Sequence, residues 1–237
     1  MKTLKTLLVL AFVGLAGTAS AQFTNSNSSA SSGSSMWTTV KTDGYNRIYV
    51  GYNGVKAKID YPGVDDMKYP GFSIGYLRGI GLTQKVPLYL EIGGEIDFNR
   101  YSDNMAYDDG YDLYSVDYKE TMLALKIPVS LAYRLSINDD FAITPKFGFD
   151  FRLNLFGKAK MEAEGESVDW NLFDDDEMLE YHPTAIEGYK RFQAGWHIGV
   201  GFDYKTWYLG VDYGTSFNEI SEKVKLATTS VTVGYNF

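Results

Sequence analysis

Hydrolysis by side chains needs a nucleophile, a base within hydrogen-bond reach of it and an acid that orients the base. The sequence holds two imidazoles, His182 and His197. Period-two spacing puts His197 on the same side of its segment as Asp203, and turn register extends that face to Asp212, Ser216 and Ser230. These types could act as base, acid and nucleophile. A polar interior also uses histidine as a plain hydrogen-bonding residue, which requires no path for a substrate, and no catalytic residue is assigned on spacing alone. His182 precedes Pro183 in a long connection and is the weaker candidate.

A second group of candidates is ionic. Glu91, Glu95 and Asp97 alternate with apolar residues along one segment, and Lys126, Lys146, Asp150 and Arg152 do so along the next two. Buried charges persist when paired, and a selective channel would rather show one sign around a constriction. Mixed signs on one face therefore predict a closed, salt-bridged interior, with a small passive channel as the alternative and a hydrolase as the lesser one. The stretch from Gly157 to Lys190 is dense in Asp and Glu. Carboxylates bind Ca²⁺, but the spacing fits no EF-hand loop, so no metal and no cofactor is assigned. Trp170, Phe173, Asp174, Asp175 and Asp176 in that stretch, with Tyr107, Tyr111 and Tyr114 in a shorter one, mix aromatics with acids. Such mixtures mark contact surfaces, here for an extracellular or envelope protein or a surface polymer.

These residues must be positioned by strands. Apolar and polar residues alternate over eight segments, near 46–55, 71–82, 87–101, 119–135, 141–156, 191–204, 207–217 and 225–237, and no helical period competes. Connections are short at 83–86, 136–140 and 205–206 and long at 56–70, 102–118 and 157–190. A meander with one trimmed and one elaborate end is the pattern of an outer-membrane barrel. A two-residue loop at Lys205-Thr206 sets Phe202 against Leu209 and Gly201 against Gly210. A turn centred at Asn138 sets Lys126 against Asp150, and one centred at Gln84 sets Gly75 against Gly93.

The two faces differ in bulk. One carries Leu123, Leu125, Phe147, Phe149, Phe151, Ile198 and Leu209; the other carries glycines among the charges. An eight-stranded barrel is only just wide enough inside for side chains, so the bulky face must point out to lipid. The fold expected is all-β, an eight-stranded antiparallel up-and-down transmembrane β-barrel. Arg78 is the exception, falling on the lipid face unless a bulge intervenes.

Residues 1–21 read as a secretory signal peptide, with Lys2 and Lys5, an apolar run and Ala19-Ser20-Ala21 before a cut. Residues 22–44 read as a flexible Ser/Asn-rich lead-in and 45–237 as the barrel. The net charge of −8, more negative once the leader lysines are removed, argues against nucleic acid as a partner. No cysteine is present.

The ending TSVTVGYNF, with Val233, Tyr235 and Phe237 on one face, resembles the signal by which the bacterial barrel-assembly machinery recognises outer-membrane proteins. The segment LALKIPVSLAYRL, residues 123–135, resembles the strand of the PorT-like outer-membrane β-barrel family, common in Bacteroidetes. That resemblance implies an eight-stranded barrel in outer-membrane lipid and little about activity, because the family is defined by its scaffold; some members are similar to accessories of protein secretion and gliding. The expected function is a small non-enzymatic outer-membrane barrel whose extracellular loops bind a partner.

Overall fold

Runs rich in Val, Ile, Phe and Tyr with period-two alternation ladder into strands, because successive side chains leave the backbone on opposite sides. The computed structural model describes residues 43–60, 62, 65–84, 86–108, 113–163, 165–181 and 187–237. The expected signal peptide, nearly all of the lead-in, Tyr111 and His182 lie outside them. In chain order the elements are β1 (Tyr45–Ile59), β2 (Met67–Gly81), β3 (Leu88–Asp108), β4 (Leu113–Tyr133) and β5 (Leu135–Ser136). They continue with β6 (Phe141–Ala163), β7 (Glu166–Asn171), α1 (Asp175–Tyr181), β8 (Phe192–Tyr204), β9 (Trp207–Ser216) and β10 (Val224–Asn236).

Eight of these strands close into a ring in the order β4-β3-β2-β1-β10-β9-β8-β6, with β6 pairing back to β4. Every pairing is antiparallel, and β10 against β1 joins the last described strand to the first. The fold is an all-β up-and-down barrel. Two-residue β5 extends the edge of the short β4–β6 turn, and β7 folds back on the far end of β6.

Register follows the sequence closely at one turn and by a fixed offset at two. Across Lys205-Thr206, Phe202 faces Leu209 and Gly201 faces Gly210, as expected. Lys205 takes a positive φ of 54° there. At the other two short turns the pairing is displaced by two residues: Gly75 faces Glu95 rather than Gly93, and Lys126 faces Arg152 rather than Asp150. A displacement of two preserves which side each residue faces, whereas one residue would have inverted a strand. The cause at Asn138 is an Asx turn, its side-chain oxygen accepting the N–H groups of Asp140 and Phe141, which moves the turn centre along the chain.

The faces sort as bulk requires. Phe147, Phe149, Phe151, Ile198, Leu209 and Val231 stand exposed on the outer wall, while Glu91, Glu95, Asp97, Arg152 and Asp203 are buried inside. Inside, glycines make room for rings on the next strand. The Tyr49 ring lies over Gly75, and a Cβ at Gly201 would strike the Tyr208 ring. Arg78 does face outward and no bulge intervenes; it sits near the short-turn end and donates to Asn46 Oδ1 at 3.4 Å, alongside the Tyr76 hydroxyl at 2.7 Å.

One irregularity divides β6. Leu123 of β4 faces Phe156 while Ala124 faces Asn154, so Leu155 is an extra residue and the ladder shifts there. Both Leu155 and Phe156 point outward. Beyond this bulge the odd residues Gly157 and Ala159 turn inward, where the even residues did so before it.

Strands also run further than the apolar alternation. The expected loops around 56–70, 102–118 and 157–190 contain the outer ends of β1, β2, β3, β4 and β6, together with β7 and the short helix α1, for which the sequence showed no period. Asp174 caps α1, accepting the N–H groups of Asp176 at 3.1 Å and Glu177 at 3.2 Å.

If the outer wall meets lipid, Phe149→Arg near mid-height is expected to destabilise the barrel by about 2–4 kcal/mol and Leu135→Arg at the short-turn rim by at most about 1 kcal/mol. Reversible denaturant titration of the protein folded into phospholipid vesicles measures both.

Candidate functional site

The charged candidates of the sequence all reach the lumen, with partners set by geometry rather than by cross-strand register alone. Lys126 pairs with Glu95, and the Tyr49 hydroxyl donates to the other Glu95 oxygen at 2.7 Å. Lys146 pairs with Asp212 at 2.9 Å. Arg152 meets Asp97 at 2.8 Å and donates further to Asn99 and Asn154. The expected Lys126–Asp150 pair does not form; Asp150 lies 3.0 Å from His197 Nδ1. An amide ladder completes this layer: Asn53 donates to Asp97, Asn99 donates to Asn53, and Asn154 donates to Gln193.

At the short-turn end the lumen is sealed by a residue that sequence reasoning missed. Arg47, buried on β1, reaches Glu91 at 3.4 Å, Asp203 at 3.3 Å and Asn236 at 2.8 Å. Its guanidinium lies 3.3 Å over the centre of the Tyr208 ring. Tyr45 donates to Glu91, while Thr144 and Asn236 donate to Asp203. The planar guanidinium suits this role because it satisfies several acceptors at once and stacks on an aromatic face. The signal was present: Arg47, Tyr49, Gly51 and Asn53 share one parity, and continuing the polar face into the first strand would have found them.

At the other end the barrel is capped by apolar packing. Val55, Tyr69, Met122, Trp170, Leu172 and Met178, with Ile220 and Leu226, form one buried cluster. Below it Glu120 accepts from the Tyr69 hydroxyl at 2.7 Å and from Tyr118. Trp170 therefore corrects the sequence expectation: it is 2% exposed and is no surface contact. Its ring stands 6.0 Å from Tyr118 and 6.1 Å from Tyr181, because β7 folds over the mouth and points it inward. Phe173 is half-buried beneath Arg191 at 4.4 Å. Asp174, Asp175 and Asp176 are exposed, Asp174 in its capping role and Asp175 accepting Gly188 N–H at 2.7 Å. Tyr107 and Tyr114 face each other in the backbone ladder of the β3–β4 hairpin.

Four other acids of 157–190 have separate partners. Asp169 pairs with Lys158, Glu162 with Lys160 and Glu187 with Lys190, and Glu177 accepts Asn171 N–H. Among the described residues no three carboxylate or imidazole side chains gather as a metal site.

His197 is held by groups other than those the sequence suggested. Its Nε2 lies 2.7 Å from Ser130 Oγ, Ser216 is occupied with Leu226 N–H, and Asp203 belongs to the Arg47 seal. Ser130, His197 and Asp150 thus follow nucleophile-base-acid order across β4, β8 and β6. The Asp150 oxygen, 3.0 Å from Nδ1, is in ion-pair contact with the imidazole but out of line as its hydrogen-bond acceptor. The cavity at this level is about 90 Å³ and is lined by Glu95, Lys126, Lys146, Asp150, His197 and Asp212.

The bulky belt outside a filled polar interior is the arrangement of a protein surrounded by lipid. The sequence matches the outer membrane protein beta-barrel domain over residues 7–237. The chain belongs to that family. This barrel is an outer-membrane protein. It is similar to Ail, the attachment invasion locus protein of Yersinia pestis, at 18% identity over 82% of this chain and 99% of that one, with a TM-score of 0.40. It is also similar to Neisserial surface protein A, at 15% identity over 81% and 95% with a TM-score of 0.38. A major outer membrane protein of Thermus thermophilus matches at 14% identity over 82% and 100%, with a TM-score of 0.39. No curated protein sequence matches. Val233, Tyr235 and Phe237 form an outward row on β10 and just beyond it, at the short-turn end of the barrel.

Removing the cation of the seal is expected to be costly. Arg47→Met leaves Glu91 buried without its cation and Asp203 with only Arg134 at 3.8 Å, and should destabilise the barrel by about 3–5 kcal/mol. Adding Glu91→Gln and Asp203→Asn should restore most of that loss in the same vesicle titration.

Proposed function

We propose that this protein is a non-enzymatic, non-conducting outer-membrane barrel that displays its long-loop end at the cell surface to hold a partner protein or a surface polymer. The observation that carries the reading is the unequal build of the two ends. The β3–β4 ladder runs on from Phe98–Leu123 at the top of the apolar belt to Asp108–Leu113, roughly 30 Å of strand at about 3.3 Å per residue. Its lower part packs into the apolar cap through Tyr101, Tyr118 and Met122, and the ladder continues past them to Asp108–Leu113. Tyr107 and Tyr114 lie near its end, with Tyr111 between them in sequence. The exposed acids Asp174, Asp175 and Asp176 belong to the cap at the same end, which favours a partner of basic or hydrogen-bonding surface. The Arg47 seal and the apolar cap supply the closed lumen. The out-of-line Asp150 supports a bracing role for Ser130 and His197 over catalysis.

In this reading the first 21 residues direct export, and Val233, Tyr235 and Phe237 are read by the barrel-assembly machinery. The PorT-like resemblance of residues 123–135 makes a secretion accessory the narrower form of the same role.

Replacing residues 103–116 with a short turn is expected to leave heat-modifiable gel mobility intact and to abolish cross-linking to the partner on intact cells. Retained cross-linking would place the contact elsewhere. In planar bilayers the wild type is expected to show no single-channel steps, and steps from folded protein would favour the channel.

A further inference from the structure

Four lysines meet on the outer wall of β10, β1 and β2. The ladder sets Lys58 directly opposite Lys225 and Lys56 directly opposite Lys68. All four point away from the lumen, since the intervening Val55, Ala57, Tyr69 and Leu226 are buried. Like charges placed directly opposite destabilise a pair of strands. Two such pairs stand side by side here, in a chain whose net charge is −8. Lys56 is answered by Asp66 at 2.6 Å. That hydrogen bond and the N–H of Ile59 hold the Asp66 carboxyl below its usual range. Lys58 reaches the Tyr213 hydroxyl at 3.4 Å, and Lys68 and Lys225 make no ion pair among the described residues.

The rows beneath the lysines descend in a definite order. One step down, Gly54 lies between Thr229 and Pro70, and a Cβ there would meet nothing closer than the Thr229 carbonyl at 4.0 Å. The outer wall has a notch at that point. The next row is Val231, Tyr52, Phe72 and Phe98, and the one after it is Val233, Val50, Ile74 and Ile96. Phe72 at 67% and Ile74 at 61% are among the most exposed apolar side chains of the molecule.

We propose that this wall binds the phosphorylated headgroup of an outer-leaflet lipid. The ammonium groups of Lys58, Lys68 and Lys225 take the phosphate, which relieves their mutual repulsion. The Gly54 notch accepts the carbohydrate or glycerol next to it, and the acyl chains lie along Tyr52, Phe72, Val50 and Ile74. Lysines just above an apolar surface attract anionic headgroups over the short range that salt allows. Cation, notch and hydrocarbon follow one another in the order in which such a lipid presents phosphate, polar linker and chains.

The test uses the full barrel in phosphatidylcholine nanodiscs, with bound lipid counted by native mass spectrometry. Bis-phosphorylated lipid A should be retained at least about tenfold more tightly than the same glycolipid without phosphates. Lys58→Gln with Lys225→Gln should remove that preference, while Lys205→Gln at the opposite rim should leave it unchanged. Gly54→Leu, which fills the notch and keeps every charge, should weaken lipid A binding on a barrel that still folds. Equal retention of the two glycolipids overturns the proposal, as does an unchanged preference in both the lysine pair and Gly54→Leu variants. Competition by inorganic pyrophosphate at equal concentration overturns the lipid assignment in favour of a free-phosphate site. A second copy of the chain on this wall, seen as a dimer mass without lipid, also overturns it.

Discussion

The interior of an eight-stranded ring leaves little room beyond that for its own side chains, and this shortage of volume governs the structure. Bulky apolar groups must go outside, so their exposure is a consequence of what cannot fit within. The residues that do fit come in complementary sets. A tyrosine crosses to a neighbouring strand where a glycine yields its place, as Tyr49 does over Gly75 and Tyr208 over Gly201. With no bulk water nearby, a charge stays only where another group answers it. Arg47 between Glu91 and Asp203, and Lys146 beside Asp212, are the products of that rule.

Much of this was legible from residue types at period two. Glu91, Glu95, Lys126, Lys146, Asp150 and Arg152 share a parity with glycines, and parity alone assigned them to the lumen. Pairing was less legible, because partners are chosen by side-chain reach across a curved wall as well as by facing positions. Lys126 takes Glu95, which faces it directly on β3, while the two-residue offset sets Asp150 opposite Pro128; Arg152 reaches past β4 to Asp97. The two-residue offsets at two turns were invisible for a related reason: the Asx turn at Asn138 depends on a side-chain hydrogen bond that hydrophobic periodicity does not encode.

Beyond the apolar belt the period-two signal fails although the strands continue. From Ser102 to Asp108 the apolar alternation of β3 lapses in the sequence while the backbone ladder runs unbroken to Asp108–Leu113. Trp170 was misread for a similar reason. A tryptophan among acids looks like an exposed anchor in one dimension, but β7 folds back onto β6 and delivers it to the mouth of the barrel. The sequence held the composition of the cap without its direction.

The extra residue at Leu155 has an effect on how the two halves of the molecule can change. It resets the inside-outside frame of β6, so the alternation that the hydrocarbon belt demands stops at Phe156 and a fresh one begins at Gly157. Substitutions in the outer canopy are thereby freed from the parity of the wall beneath them, and the surface-facing part can diversify while the embedded cylinder stays as it is.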